Sequence, residues 1–352
     1  MKKIVIRRLH SLSRKSKKKS RLAKRRRIIF VVLAHAQEDI LAKQIQNIRY
    51  YNPESNIVLY NSSGNPKYGQ NIKDMMICPY QRGPLSWGRT GCVLYDVIRW
   101  LKEINTDYDY LVYIDSDVLF LKRGLEAYLD EMMLGFDTMG VNMHVEYGPG
   151  EWIPGQMMWQ EWPQWQELFQ TTYLAGMFAN GQVYRRELIN RMYDGIDTMR
   201  LEALFQTTEV IAIEEILHAT LAVRSGGRFR SFPESVAEYI RYKPPLSLDD
   251  IQAAEQTESV FFVHPVLRDS EDPARIWSER LLENKMAEAA RNMPRKKKIT
   301  IRRKKRHLSK SRRIKRAVRL KRNIKGRQPM WELSKKRVKE KRERFASRRK
   351  KL

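Results

Sequence analysis

The sequence predicts an α/β fold, a mostly parallel sheet with flanking helices, on three observations. A fully apolar run, Ile28 to Ala34 (IIFVVLA), is followed by a helical pattern and a second apolar run, Asn56 to Asn61 (NIVLYN). A third short run, Asp109 to Ile114 (DYLVYI), leads straight into Asp115-Ser116-Asp117. Apolar strands without polar alternation belong to sheets covered on both faces, and strand–helix–strand order is the start of a right-handed crossover with parallel strands.

The elements follow in order. Lys24-Arg25-Arg26-Arg27 before residue 28 and Ala34-His35-Ala36 after Leu33 imitate a secretory signal with a small-residue cleavage site. The apolar stretch between them is short for a signal and rich in Ile and Val, so it is read as a buried strand. Residues 37–51 place Ile40, Leu41, Ile45 and Ile48 at helical spacing, and Asn52-Pro53 ends that helix. Residues 56–61 form the second strand, closed by Ser62-Ser63-Gly64-Asn65-Pro66. Residues 88–104 put Val93, Leu94, Val97, Ile98 and Leu101 on one helical face, and 109–114 form the strand before the acidic pair. A helix over 124–134 and a strand over 136–142 come next. Residues 147–165, rich in Trp, Pro and Gly, are predicted as an ordered loop. Residues 173–184 read as a strand with a turn, 209–222 as a helix and 259–264 (SVFFVH) as a late strand. No repeat is visible, and no run approaches the roughly 18 apolar residues of a membrane span.

Charge divides the chain into three parts. Residues 1–27 carry 14 basic and no acidic side chains, and 295–352 carry 30 basic against three acidic. The net +28 of the whole therefore leaves −13 on residues 28–294. An acidic globular domain, 28–294, is expected between two low-complexity polycations, and the polycations lack the apolar residues to build a core of their own, so they are predicted to be disordered. The overall basicity describes the tails and excludes nothing about the chemistry of the middle. The tails point to an anionic surface as partner: membrane, envelope polymer or nucleic acid. Two cysteines, Cys78 and Cys92, make neither a disulfide framework nor a four-ligand zinc site; two buried thiols fit a reducing, cytoplasmic setting, with peripheral attachment through the tails.

The chemistry concentrates in Tyr113-Ile114-Asp115-Ser116-Asp117-Val118-Leu119. Two carboxylates emerge where a buried parallel strand stops, which is where open α/β sheets bind ligands. Asp at i and i+2 around a turn can share one hard divalent cation, Mn²⁺ or Mg²⁺, which keeps open positions for phosphate oxygens. Such a cation neutralises charge that develops on a diphosphate leaving group. The same residues also suit a plain turn after a strand.

Here the chain resembles glycosyltransferases of the GT-A fold, a Rossmann-like arrangement, and Leu111 to Leu121 (LVYIDSDVLFL) is most similar to glycogenin-like and related small bacterial members. The resemblance covers residues 28 to about 270 and has one specific motif, the D-x-D. It implies an enzyme that moves a sugar from a nucleotide-diphosphate sugar to a glycan or protein acceptor. It assigns Asp115 and Asp117 to Mn²⁺ or Mg²⁺ and the donor diphosphate, and Ser116 to the donor ribose. It also implies a late third ligand, for which Phe261-Phe262-Val263-His264-Pro265 offers His264. Val266-Leu267-Arg268 departs from the glycogenin-like pattern, which continues with glycine and Lys-Pro-Trp, although Arg268 can still meet phosphate through its planar fork. In inverting members a carboxylate at the stage of Glu214-Glu215 takes the acceptor proton; neighbours on a helix point about 100° apart, so one of the two is expected to enter the site. Ala34, His35 and Asn61 end the first two strands, where base and ribose lie in this fold.

Other candidates come from the residues themselves. Ser86 and Arg89 precede a helix whose free N–H groups suit a phosphate. Asn180-Gly181 sits in a turn where glycine permits close approach of a donor sugar. Trp152, Trp159 and Trp162 offer faces for an acceptor glycan, or fill a satellite core. Two other classes of function remain open: a phosphotransferase or phosphatase with Asp115 as nucleophile, which wants Thr or Val where Leu119 stands, and a non-catalytic polyanion-binding protein.

Overall fold

A computed structural model describes residues 28–292. The basic tails, 1–27 and 295–352, lie outside the described residues. The chain divides into two compact units, the first ending at Glu283, and the sheet and the site discussed below belong to that unit.

The first strand, β1 (Ile28–Ala34), is the middle of a parallel trio with β2 (Asn56–Asn61) on one side and β4 (Tyr110–Asp115) on the other. With β3 (Met76–Ile77), β6 (Thr138–Gly140), β9 (Gln182–Arg185) and β10 (Phe229–Ser231), the sheet runs β10-β6-β9-β4-β1-β2-β3. Only β9 is antiparallel to its neighbours, β4 and β6. Two short antiparallel pairs lie outside it: β5 (Leu119–Phe120) with β11 (Phe262–Val263), and β7 (His144–Glu146) with β8 (Leu174–Gly176).

Side chains alternate along a strand, so an apolar strand feeds two cores. Ile29, Val31 and Leu33 share one core with Val58, Tyr60, Leu111 and Tyr113, while Ile28, Phe30, Val32 and Ala34 share the other with Ile57, Leu59, Val112 and Ile114. The helix α1 (Glu38–Tyr51) adds Leu41, Ile45 and Ile48 to the second core, and α2 (Cys92–Glu103) adds Val93, Leu94, Val97 and Leu101 to the first. The sheet is therefore covered on both faces, as its apolar strands require. Cys78 and Cys92 are both free and buried, and burial pushes their thiols up to about 11 and about 12.

Three expectations need correction. Residues 147–165 are not a loop: α4 (Ile153–Gln160) and α5 (Trp162–Phe169) occupy most of the stretch. Pro154 and Pro163 sit in the first turns of these helices, where a missing N–H costs nothing, so prolines read as loop signals are helix starters. Residues 173–184 are not one strand with a turn but β8 and β9, which pair in different sheets. The helix expected over 124–134 is α3 (Leu125–Met132), the late strand shrinks to Phe262–Val263, and helices α6 (Arg186–Tyr193) and α7 (Thr198–Thr207), with another at Leu248–Gln256, fill stretches for which the pattern predicts none. Among the described residues no helix is long and apolar enough to cross a membrane.

Candidate active site

Asp115 is the last residue of β4 and pairs in register with Leu33, so its carboxyl emerges where the parallel strands end; one step on, Ala34 pairs with Asn61. The turn that follows is clamped from α1. Gln44 Nε2 donates to the carbonyls of Asp115 (2.7 Å) and Val118 (3.1 Å), and Asn47 closes both backbone groups of Phe120 at 2.8 and 2.9 Å. Both amides are buried, on the helix face that also carries Leu41, Ile45 and Ile48. Four hydrogen bonds to two buried side chains hold the turn in place, although Gln44 Oε1 is left without a partner. Nothing in the hydrophobic pattern marks Gln44 or Asn47, except that two amides fall on an apolar face.

His264 follows β11 directly, and its ligand atoms lie with those of Asp115 and Asp117 within 4.8 Å of one another. Its Nδ1 is 2.9 Å from the carbonyl of Arg241, an acceptor only, so that nitrogen carries a proton, and when the ring is neutral Nε2 presents a lone pair. Nε2 lies 3.3 Å from Asp117 Oδ1, and Asp115 Oδ1 and Asp117 Oδ1 are buried without a hydrogen-bond partner. Acceptors that face one another in this way can be reconciled by a cation or by a proton between them. Asn180 stands at the side, donating from Nδ2 to Asp115 Oδ2 and to His264 Nε2 at 3.0 Å each, and accepting from the Asp115 N–H at 2.7 Å. Arg268 reaches Ser116 Oγ at 2.9 Å and Asp117 Oδ2 at 3.0 Å. Burial and the charge of Asp117 raise the Asp115 carboxyl above its ordinary range. Burial also pushes Asp117 up, but His264 and Arg268 outweigh it and hold that carboxyl low. Two carboxylates and an imidazole lone pair make a hard O/N donor set that fits Mn²⁺ or Mg²⁺.

Glu214 and Glu215 open the helix α8 (Ile213–Arg224). Burial raises Glu214 to about 7, and burial with the charge of Glu214 raises Glu215 to about 8. Glu214 bonds the Thr90 hydroxyl and leaves Oε2 buried without a partner, whereas Glu215 Oε1 accepts from the Ala179 N–H at 3.2 Å, next to Asn180. Instead of one entering and one facing solvent, both turn inward. The unfolded value is 4.5, so protonation favours the fold: this contribution is complete below pH 4.5 and is lost as pH rises through about 7 to 8. Melts in EDTA are expected to show stability falling between about pH 4.5 and 8, and falling less in a Glu214→Gln/Glu215→Gln double variant. Parallel slopes for the two proteins would contradict the burial of these groups.

The remaining candidates divide. His35, beyond β1, is exposed and faces the site; burial of its ring and then the charge of Arg268 lower its pKa, against Asp115 and Asp117. Ser116 is buried under Arg268. Ala34 is buried, and its carbonyl takes the Ser62 N–H at 3.0 Å. Asn61 spends its amide on Asn65, Gln81 and Ser63, so it builds the turn after β2 rather than offering free atoms to a ligand. Ser86 is exposed, and Arg89 pairs with Glu209 at the surface instead of reaching the acidic pair. Gly181 has φ +84°, and a Cβ there would lie 3.0 Å from Phe262 Cζ. The close approach that its lack of a side chain permits is to Phe262, not to a sugar. Trp162 is buried, its ring centre 4.5 Å from that of Trp159 at a tilt of 44°, Trp165 is fully buried, and Trp152 packs over Gly176. Trp162 and Trp165 are core, and Trp152 and Trp159 are half-buried against it, which favours the satellite core of the two alternatives.

No family model matches the sequence, and no curated protein matches it. Among solved structures, the chain is similar to an active-site mutant of LgtC, with a TM-score of 0.41 at 12% identity over 73% of this chain and 95% of that one. The galactosyltransferase LgtC in complex with donor and acceptor sugar analogs gives 0.37 at 11% identity, with the same two coverages. The mannosyltransferase PcManGT from Pyrobaculum calidifontis, in complex with GDP-Man and Mn²⁺, gives 0.36 at 12% over 77% of each chain. Likeness this remote assigns neither donor nor acceptor.

Proposed function

We propose that the chain is a metal-dependent glycosyltransferase that moves a sugar from a nucleoside-diphosphate sugar to an acceptor hydroxyl. The observation that carries this reading is the cluster of Asp115, Asp117 and His264 at the C-terminal edge of the parallel strands, with one ligand atom from each within 4.8 Å of the others and two of the carboxylate oxygens buried without a hydrogen-bond partner. Asp115, Asp117 and His264 would hold Mn²⁺ or Mg²⁺, which supplies charge neutralisation to a departing diphosphate. Arg268, with its fork beside the cluster, exchanges Asp117 and Ser116 for phosphate oxygens when the donor binds. Ser116 lies beneath Arg268, and His35 at the end of β1 borders the nucleotide. Asn180 fixes Asp115 and the His264 ring from the side.

Transfer breaks the bond from the sugar anomeric carbon to phosphate and forms one to the acceptor oxygen. The acceptor's proton goes to a carboxylate, and the nucleoside diphosphate leaves with the electron pair. Glu215 is the better placed base: it is partly exposed, with one oxygen held by Ala179 and the other free for the acceptor, while Glu214 lies deeper on Thr90. The test is a panel of UDP- and GDP-sugars incubated with the protein and Mn²⁺, read as release of nucleoside diphosphate. Release that EDTA abolishes supports the reading, and release that persists undiminished in EDTA contradicts it.

The tails give a second, separable proposal. Residues 1–27 and 295–352 carry +14 and +27 against −13 on 28–294. These segments attach the enzyme to an anionic membrane or polymer surface, each basic residue adding about 1 kcal/mol near an anionic bilayer. A chain truncated to 28–294 is expected to keep metal-dependent donor hydrolysis and lose salt-sensitive co-sedimentation with anionic vesicles. Equal sedimentation by the truncated chain, or binding indifferent to salt, would contradict this; steep salt-dependent binding to DNA alone would move the partner to nucleic acid.

A further inference from the structure

Trp87 and Tyr242 are 68% and 53% exposed, unusual for large rings, and they meet with centroids 6.3 Å apart at 41°. They come from two loops that both lean on the site. In the first loop, Gly88 presses on the start of the carboxylate helix: a Cβ there would be 3.1 Å from the Ala212 nitrogen. Two residues on, Thr90 bonds Glu214. In the second loop, Arg241 exchanges backbone contacts with His264, its carbonyl taking Nδ1 at 2.9 Å and its N–H reaching the His264 carbonyl at 3.0 Å. Tyr242 is the next residue. The ring pair thus bridges the loop behind the carboxylates and the loop behind the metal-site histidine, at the mouth between them.

We infer that Trp87 and Tyr242 form the platform on which a pyranose ring of a saccharide acceptor lies; this rests on the transferase reading above. Aromatic faces pair with the C–H surface of a sugar, and an open platform admits a chain of any length, as an acceptor glycan needs. Lys243 Nζ lies 4.9 Å from the Tyr242 ring centre and adds a donor for hydroxyls at the platform's edge. The position selects acceptor over donor, because the ring pair flanks Glu214 and Glu215, which take the acceptor's proton. The other exposed aromatic contact, Tyr147 with Tyr173, lies near Arg224 at the opposite end of α8, about 18 Å along the helix. Trp162 and Trp165 are buried and Trp159 is half-buried against them, whereas Trp87 and Tyr242 present open faces, so the aromatic platform moves to residues that the tryptophan-rich segment does not contain.

The test uses the full chain on an array of uncharged glycans in high salt, which screens the tails. Wild type is expected to bind a defined saccharide. Trp87→Ala and Tyr242→Ala are expected to bind it about tenfold more weakly, with unchanged melting temperatures, and Trp87→Phe to recover most of the binding. No bound glycan, or equal binding by the Ala variants, overturns the inference. Wild-type Mn²⁺-dependent hydrolysis of nucleotide-sugars, measured alongside, separates the two readings. Hydrolysis without glycan binding sinks the platform alone, and absence of both sinks the transferase reading with it.

Discussion

Asp117→Asn is expected to lower metal-dependent donor turnover by more than about 100-fold, the upper cost of altering even a residue that merely orients a metal ligand. The amide keeps the shape of the side chain and removes the charge. The turn that carries it is held by Gln44 and Asn47 through backbone groups, so it should persist. The substitution relieves the repulsion between two buried carboxylates but also gives up the attraction of the Asp117 charge for Arg268, so the metal-free melting temperature alone is not diagnostic. The expected signature is cooperative melting in EDTA together with loss of the rise that Mn²⁺ produces in wild type. Stabilisation by a ligand follows its concentration relative to its dissociation constant, so a variant that cannot bind gains nothing. A variant that keeps both turnover and the Mn²⁺-induced rise would remove Asp117 from the metal site.

Glu215→Gln is expected to cost about 10²–10⁴-fold in transfer, the usual cost of removing a general base, and Glu214→Gln much less. The pH–rate profile separates a base from a structural carboxylate. Glu215 stands at about 8 in the metal-free site, so transfer should rise with pH along an acidic limb governed by this group, moved lower when a cation adds its positive charge. In Glu215→Gln that limb should vanish. Near-normal transfer in both single variants would leave no carboxylate base on α8 and favour a retaining reaction.

The parts of this site that were legible in the sequence share one property: each follows an apolar run. Asp115 and Asp117 follow β4, His264 follows Phe262–Val263, and strand ends point residues at the ligand edge of such a sheet. Parallel strands buried on both faces give a strong local signal, which is why β1, β2 and β4 stand within a residue of their expected bounds. The rest depends on contacts between distant segments. Gln44 and Asn47 act on a turn more than 70 residues away, and on a helix face polar side chains ordinarily read as solvent-facing. Asn180 was singled out for a sugar, but its importance lies in touching Asp115 and His264 together, 65 and 84 residues distant. Asn61 stands at the expected strand end and still faces its own turn, because an Asn after a strand satisfies nearby backbone first. The tryptophans of 152–165 left two readings open because an aromatic cluster fills a core as readily as it lines a cleft, and their burial favours the core.

The most direct test of the central claim is Mn²⁺ binding itself, followed by the loss of the free-ion EPR signal as the full chain is titrated with and without UDP or GDP. The metal reading predicts a single Mn²⁺ site per chain that tightens when the nucleoside diphosphate is present, and that is lost in Asp115→Asn, Asp117→Asn and His264→Ala, each still melting cooperatively. Binding of the same strength in all three variants, or no Mn²⁺ taken up by wild type with either nucleotide, would contradict it.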